Sequence, residues 1–465
     1  MKMKNISKLK TAIVLIFAVF LTSCDKWIDT DINISPNSPS DVPMKLLLPN
    51  IQANMAFSLE GNDIVRPTNI WLQYYNGNAR QSYTQSHYIY NPSDVNNLWG
   101  TVYSGILTDI QKVIEKSEAT GSPHYAGVAK VCLAFTLGTS TDVWGNIPYT
   151  EAIQGDNNLN PNYDSQESIY QTIQTLLSDA ITDLNSTDNA IDLEGDLIYG
   201  NDPSKWVKAA YALKARYAIT LSKLKGENAY NEALGYLANA FTSNDDNFSF
   251  KFDETSNSPM YMFMDERGDI TMASTFINML KDDQDNRIKV YAADGQDAVG
   301  GTPGSDESEG ISSIGEYAAA KDASSYFMTY AEQKFIEAEA LLATGQTGDA
   351  YQAYLDGAVA SNLQALSEKD GVTEDDVKGW DWYTNISVGA SSLTLELIMR
   401  QKYIAGYNTI QPFTDYRRTG FPVLERAQGA TVDIPRRFPY PQSELDYNVN
   451  TEGPVKLSDK VWWDK

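Results

Sequence analysis

With two histidines and two cysteines in 465 residues, this chain is short of the side chains from which most catalytic and metal sites are built. His87 and His124 stand 37 positions apart, which argues against a histidine-based metal centre or proton relay. Two cysteines cannot make a disulfide framework. Cys132 lies in the apolar helical stretch Val128 to Phe135, where a buried free thiol is expected. Long apolar runs are also missing. The longest, Ala12 to Leu21, has ten residues, half of the roughly 20 that a membrane-spanning helix needs. Positive charge is scarce as well: 36 Lys and Arg face 61 Asp and Glu, for a formal net charge of −25. Nucleic acid and anionic membrane surfaces are therefore poor partners. There is no G-x-x-x-x-G-K-[ST] loop, no G-x-S-x-G elbow and no H-E-x-x-H pair. No motif calls for a cofactor or a metal.

What is present begins with an address. Lys2, Lys4, Lys8 and Lys10 precede the ten-residue apolar run, and Leu21-Thr-Ser-Cys24 follows it. A basic start, a short apolar core and small residues before a cut read as a secretory signal over 1–23. Leu-Thr-Ser-Cys looks like the lipobox of bacterial lipoproteins, which makes Cys24 the lipidated N-terminus and its acyl chains the link to the membrane. A chain cut there stands at a net charge of −29, because residues 1–23 carry four lysines and no acid. Residues 24–43, rich in Pro, Asn and Ser, read as a tether. Residues 44–465 then form a single domain.

Helical periodicity dominates that domain. Helices are expected over Met44 to Leu59, Leu98 to Ser117, His124 to Gly138, Ser165 to Asn185, Asp202 to Lys225, Asn231 to Phe241, Ser324 to Ala343, Thr347 to Leu366 and Ser391 to Tyr407. Between them, 60–97, 243–270, 294–316 and 411–465 read as irregular, with 294–310 the most mobile. Gly345, Ala350, Tyr354 and Gly357 stand at the offsets of the tetratricopeptide pattern, and Asn228, Ala233, Leu237 and Ala240 echo it with Asn in place of the glycine. The fold class is mostly α: tetratricopeptide-like helix pairs as a scaffold, with a loop-rich irregular half packed over it.

Blocks along the whole mature chain resemble the SusD/RagB-type (SusD-like) nutrient-binding outer-membrane lipoproteins of the Bacteroidetes. They are Asn33-Ile-Ser-Pro-Asn37, Asp142-Val-Trp-Gly-Asn-Ile-Pro-Tyr149, Pro161 to Tyr170, Trp206 to Arg216, Ala331 to Leu342, Gln401 to Ala405, Asp415 to Pro422 and Ile434 to Pro441, closing with Glu444 and Asn448. Their order and joint presence carry the resemblance. It implies a lipoprotein on the outer face of the outer membrane. Such a protein would sit over a SusC-like TonB-dependent transporter, capture a glycan or in some relatives a peptide, and do no chemistry itself.

Aromatics are the informative residue class for such a role. Sugar rings stack on indole and phenol, and their hydroxyls meet planar polar groups. The stretch from Trp71 to Tyr90 interleaves both, so Trp71, Tyr74, Tyr75, Asn78, Arg80 and Tyr83 are the first candidates for ligand contact. A helical face carrying Trp71, Tyr74 and Tyr75 into the core is the competing reading. A second candidate is Pro259-Met-Tyr-Met-Phe-Met264 with Arg267, where Tyr261 and Arg267 would contact ligand and the methionines adapt to a peptide, with core packing of at least half of the stretch as the competing reading. Trp380, Trp382 and Tyr383 rank third, as an exposed contact. Arg417, Arg418, Arg436 and Arg437 are expected to pin the C-terminal segment to the helices through buried carboxylates. The acidic run Asp282 to Asp285, before Arg287, reads as a solvated loop or local ion pair, because its spacing does not fit a calcium loop. A lipid-anchored glycoside hydrolase would need a pair of carboxylates across a cleft, and none stands out. A pure adaptor would bind nothing.

Overall fold

The computed structural model describes residues 42–465. The signal segment, Cys24 and most of the tether lie outside the described residues. Residues Met44–Lys465 cluster as one unit.

The helical layer is a succession of packed neighbours: Thr108–Thr120, Pro123–Trp144, Gln166–Leu184, Pro203–Thr220, Glu227–Leu237, Tyr330–Ala343 and Thr347–Asp370, each against the next. Pro123–Trp144 is apolar or small almost all round and is buried along nearly its whole length, as a central helix must be. Its glycines set how close the neighbours come. Gly127 lies against Leu184 and the Ala180 carbonyl, and Gly138 lies under the ring of Tyr217. A β-carbon at Gly138 would overlap that phenol, which is itself buried. Gly138→Ala is therefore expected to cost about 1–3 kcal/mol through overpacking, although alanine is the better helix former. Chemical unfolding with an unchanged slope checks this.

The tetratricopeptide offsets mark a real helix pair. Gly345 turns the chain with φ +81°, Ala350 and Tyr354 are buried, and a β-carbon at Gly357 would come within 3.2 Å of the Ala331 carbonyl and Phe335. The echo is partial. Ala233 is buried, but its helix ends at Leu237 and Ala240 falls in the following turn.

Expected and observed elements differ in instructive places. The helix expected from Ser324 is a strand, Ser324–Met328, followed by the helix Tyr330–Ala343. Thr329 separates them, because its side chain accepts the Glu332 N–H and caps the helix. The stretches read as irregular hold short helices: Val65–Trp71, Arg80–Ser86, Pro259–Glu266 and Gln411–Thr419. Each is under ten residues, too short for periodicity to register. Two antiparallel two-stranded sheets complete this half: Tyr75–Gly77 with Ile270–Met272, and Phe248–Lys251 with Ser324–Met328.

Buried ion pairs run within each half and between them. Arg216 meets Glu332 at 2.5 Å, and Arg287 meets Asp285 at 2.5 Å with both side chains out of solvent. Of the acidic run before Arg287, Asp285 forms a core ion pair, Asp283 pairs with Arg400, and Asp282 is exposed. Of the four C-terminal arginines, Arg418 grips Glu339 and Asp415, and Arg436 grips Asp464. Arg417 and Arg437 instead donate to carbonyls, Arg417 to those of Asp142 and Arg436 and Arg437 to that of Trp144. Arg417 also lies 4.6 Å from the Trp463 ring centroid. Cys132 is buried and free, and burial pushes its thiol pKa up, so it is inert.

Candidate functional site

The pairing of Tyr75–Gly77 with Ile270–Met272 brings together the two stretches singled out in the sequence. Beyond the last pair, Gly77 with Ile270, the Asn78 N–H donates to the Asp269 carbonyl at 3.0 Å. Arg80, held at φ +47°, then turns its guanidinium onto the buried Asp269 carboxylate at 2.5 Å and donates to the Arg267 carbonyl at 2.9 Å. A side chain at positive φ is uncommon, and here the clamp holds it. The hydrogen bond and charge of Asp269 raise the pKa of Arg80. Asp269 is thereby engaged by Arg80 through both carboxylate oxygens.

The helices Arg80–Ser86 and Pro259–Glu266 are joined by Arg66 as well. Its guanidinium lies 4.5 Å from the Phe263 ring centroid and donates to Ser82 Oγ and Gln85 Oε1, each at 3.1 Å. Burial lowers the Arg66 pKa. This support leaves Arg80, Tyr83, Met262 and Arg267 exposed and Asn78 and Tyr261 half-buried. The Tyr83 ring sits 4.4 Å from that of His87, and Lys321 Nζ lies 5.6 Å from the Tyr261 ring centroid.

Trp71, Tyr74 and Tyr75 do not belong to this surface. All three are fully buried, which corrects the reading of them as a stacking platform. Trp71 packs against Tyr90, Phe413 and Phe438. Tyr74 stacks on Tyr403 at 4.1 Å and donates its hydroxyl to the Tyr403 carbonyl. Tyr75 donates to Asn408 Oδ1 at 3.0 Å. Segments far away in sequence cover them. Trp382 is likewise buried, under Arg287, which corrects the reading of it as an exposed contact, while Trp380 and Tyr383 pack half-buried on the same cluster.

Other residues complete the face. The Asn76 amide donates to the Ser305 carbonyl and accepts the Gly304 N–H, both at 3.0 Å. The Gln428 N–H donates to the Pro303 carbonyl, and the Ala427 N–H to the Tyr88 hydroxyl. The segment expected to be most mobile is thus hydrogen-bonded at 302–307. Arg66, Phe263, His87 and Asp269 were missed as participants. Phe263 and His87 lay inside the stretches already singled out, and no spacing rule joins Arg66 and Asp269 to them.

The result is a rigidly backed surface of guanidinium, phenol, amide and thioether groups. It can stack on a ring and hydrogen-bond to hydroxyls or amides. Among the described residues no helix is long and apolar enough to cross a membrane.

Residues 36–441 match the SusD-like family described as "Starch-binding associating with outer membrane". No curated protein matches. Among solved structures, the chain is similar to a SusD/RagB family protein of Bacteroides thetaiotaomicron, at 25% identity and TM-score 0.77 over 91% of this chain and 99% of that one. It is also similar to a SusD homologue of Bacteroides fragilis, at 22% identity and TM-score 0.74 over 91% and 100%. A chitin-binding SusD homologue of Flavobacterium johnsoniae matches at 22% identity and TM-score 0.75 over 91% and 98%.

Proposed function

Since the chain belongs to the SusD-like family, we propose that it is a cell-surface lipoprotein, anchored through Cys24, that captures an oligomeric glycan and delivers it to a SusC-like TonB-dependent outer-membrane transporter. It makes and breaks no covalent bonds in this reading. The observation that carries it is the Arg80–Asp269 clamp, which sets Asn78, Arg80, Tyr83, Tyr261 and Arg267 on two adjoining helices and their connecting strands. Tyr83 supplies a stacking surface, and the guanidinium and amide groups meet hydroxyls. The family description and the chitin-binding relative support a glycan as ligand. Exposed Met262 beside half-buried Phe263 and Met264 favours a second reading, an apolar peptide side chain at the same face.

Calorimetric titration of a soluble form beginning after Cys24, with chitin oligosaccharides, malto-oligosaccharides and a matched set of oligopeptides, separates the two. Glycan binding is expected, with Tyr83→Ala weakening it about tenfold, the order of a contact worth more than 1 kcal/mol. Tyr83 is exposed, so stability should move by less than about 0.5 kcal/mol. Binding of peptides alone would overturn the glycan reading. Glycan binding indifferent to Tyr83→Ala and Arg267→Ala would move the site elsewhere.

A further inference from the structure

A second aromatic site lies on the helical layer and shares no residue with the face just described. Helices Gln166–Leu184, Pro203–Thr220 and Glu227–Leu237 and the C-terminal turn Trp462–Asp464 border a cavity of about 330 Å³. That volume is at the lower end of small-ligand pockets, which run from about 300 to 1,000 Å³. Tyr170, Tyr217, Tyr236 and Trp462 line it.

These rings are held in place before any ligand arrives. Trp462 is half-buried, while the residues on either side of it, Val461 and Trp463, are buried. Trp463 donates to Asp142 Oδ1 at 3.0 Å, and Asp464 pairs with Arg436 at 2.5 Å and Lys223 at 3.2 Å. The backbone carrying the indole is therefore pinned, and the indole itself, 6.3 Å from the Tyr170 ring, is left at the cavity. Lys214 Nζ lies 4.7 Å from the Tyr236 ring centroid and is itself tied to Ser178 Oγ at 2.7 Å and the Gln174 carbonyl at 3.1 Å. A cation thus braces Tyr236 from one side. A pocket whose aromatics are already ordered loses little entropy on binding.

The rim decides the ligand class. It carries an exposed amide, Gln171, together with Glu167 and the Lys225–Glu232 ion pair. Carboxylates of this number disfavour an anion, and Lys214 and Lys225 disfavour a cation. A wholly apolar ligand would strip water from the amide and the ion pair without replacing their hydrogen bonds. A neutral polyhydroxylated ring satisfies both parts, with its C–H face on half-buried Tyr236 and Trp462, its hydroxyls on the rim, and the buried Tyr170 and Tyr217 as the floor beneath. We propose that this cavity is a second saccharide-binding site, independent of the loop face and sized for a short oligosaccharide or one end of a longer one.

The test is fluorine NMR on the full soluble chain labelled with 5-fluorotryptophan, with the Trp462 resonance assigned by its loss in Trp462→Phe. Maltotriose and N,N′-diacetylchitobiose are the probes. The expected result is a saturable shift of the Trp462 resonance with at least one of them. The shift persists in Tyr83→Ala, which keeps the outcome separate from the loop-face reading, and weakens about tenfold in Tyr236→Ala. Gln171→Leu, at an exposed position, supplies a second variant that leaves the fold intact. A Trp462 resonance unmoved by both sugars up to about 10 mM, the concentration beyond which binding is weaker than roughly 3 kcal/mol, overturns the proposal. A shift that vanishes in Tyr83→Ala overturns it too.

Discussion

Replacing Trp71 with alanine is expected to remove about 3–5 kcal/mol from the unfolding free energy, the range for deleting a buried large aromatic. The indole has no exposure, and its ring lies 5.5 Å from Tyr90, 5.7 Å from Phe413 and 5.3 Å from Phe438. Those partners come from a loop, a late helix and the C-terminal segment, so the void would open where three parts of the chain meet. Trp71→Phe should cost much less. It keeps a ring in place and removes an indole N–H that has no hydrogen-bond partner. Denaturant midpoints for the two variants, at constant slope, decide the matter. If Trp71→Ala kept its midpoint and lost glycan binding, Trp71 would be a ligand contact after all.

The second large effect is electrostatic. Arg418 sits in the core between Glu339 and Asp415, with Lys402 2.8 Å from the far side of Asp415. Arg418→Met leaves two carboxylates buried with one cation and is expected to cost about 3–5 kcal/mol. Removing Glu339 at the same time, as Arg418→Met with Glu339→Met, should recover part of that loss, because Asp415 keeps Lys402. A double-mutant cycle measures the recovery. The pH dependence has a definite sign. Burial by itself would raise the Asp415 pKa, but Lys402 and Arg418 outweigh it and hold the carboxyl below its ordinary 3.8. A carboxyl depressed in the folded state contributes stability above its unfolded pKa, about 3.9, and that contribution fades as the pH falls through the folded value. The acid loss below about pH 4 should therefore shrink in Arg418→Met. An acid limb unchanged by the substitution would remove Asp415 from the account.

How much could be read in advance depends on the range of the signal. Of the apolar stripe Leu98, Val102, Ile106, Ile110, Val113 and Ile114, all but half-buried Ile114 are buried, although the segment Thr101–Leu107 winds as a π-helix. Gly345 and Gly357 announced a turn and a close helix crossing, because only glycine meets both demands without strain. The helix Pro259–Glu266, inside a stretch read as irregular, was not legible, since eight residues give too few turns to show a face. The candidate face was harder still. Tyr74, Tyr75 and Tyr83 look alike in a string of aromatics and amides, yet two are sealed and one is open. What seals Tyr74 is Tyr403, and what seals Tyr75 is the turn at Asn408, more than 300 positions away.

The sequence by itself determined the helical class, the acidic surface, the tetratricopeptide-like pair, the inert Cys132 and the family. All of these are written in local periodicity, composition or ordered short blocks. Tertiary structure alone decided which aromatics meet solvent, which carboxylates the arginines take, and that Asn78, Arg80 and Arg267 meet around Asp269. The sealed aromatics and the Asp269 junction depend on strands and side chains paired across roughly 190 to 330 residues, and Arg216 and Arg418 reach their carboxylates across 116 and 79. Exposure belongs to the covering segment as much as to the residue covered, and no spacing within one stretch of chain records which segment that is.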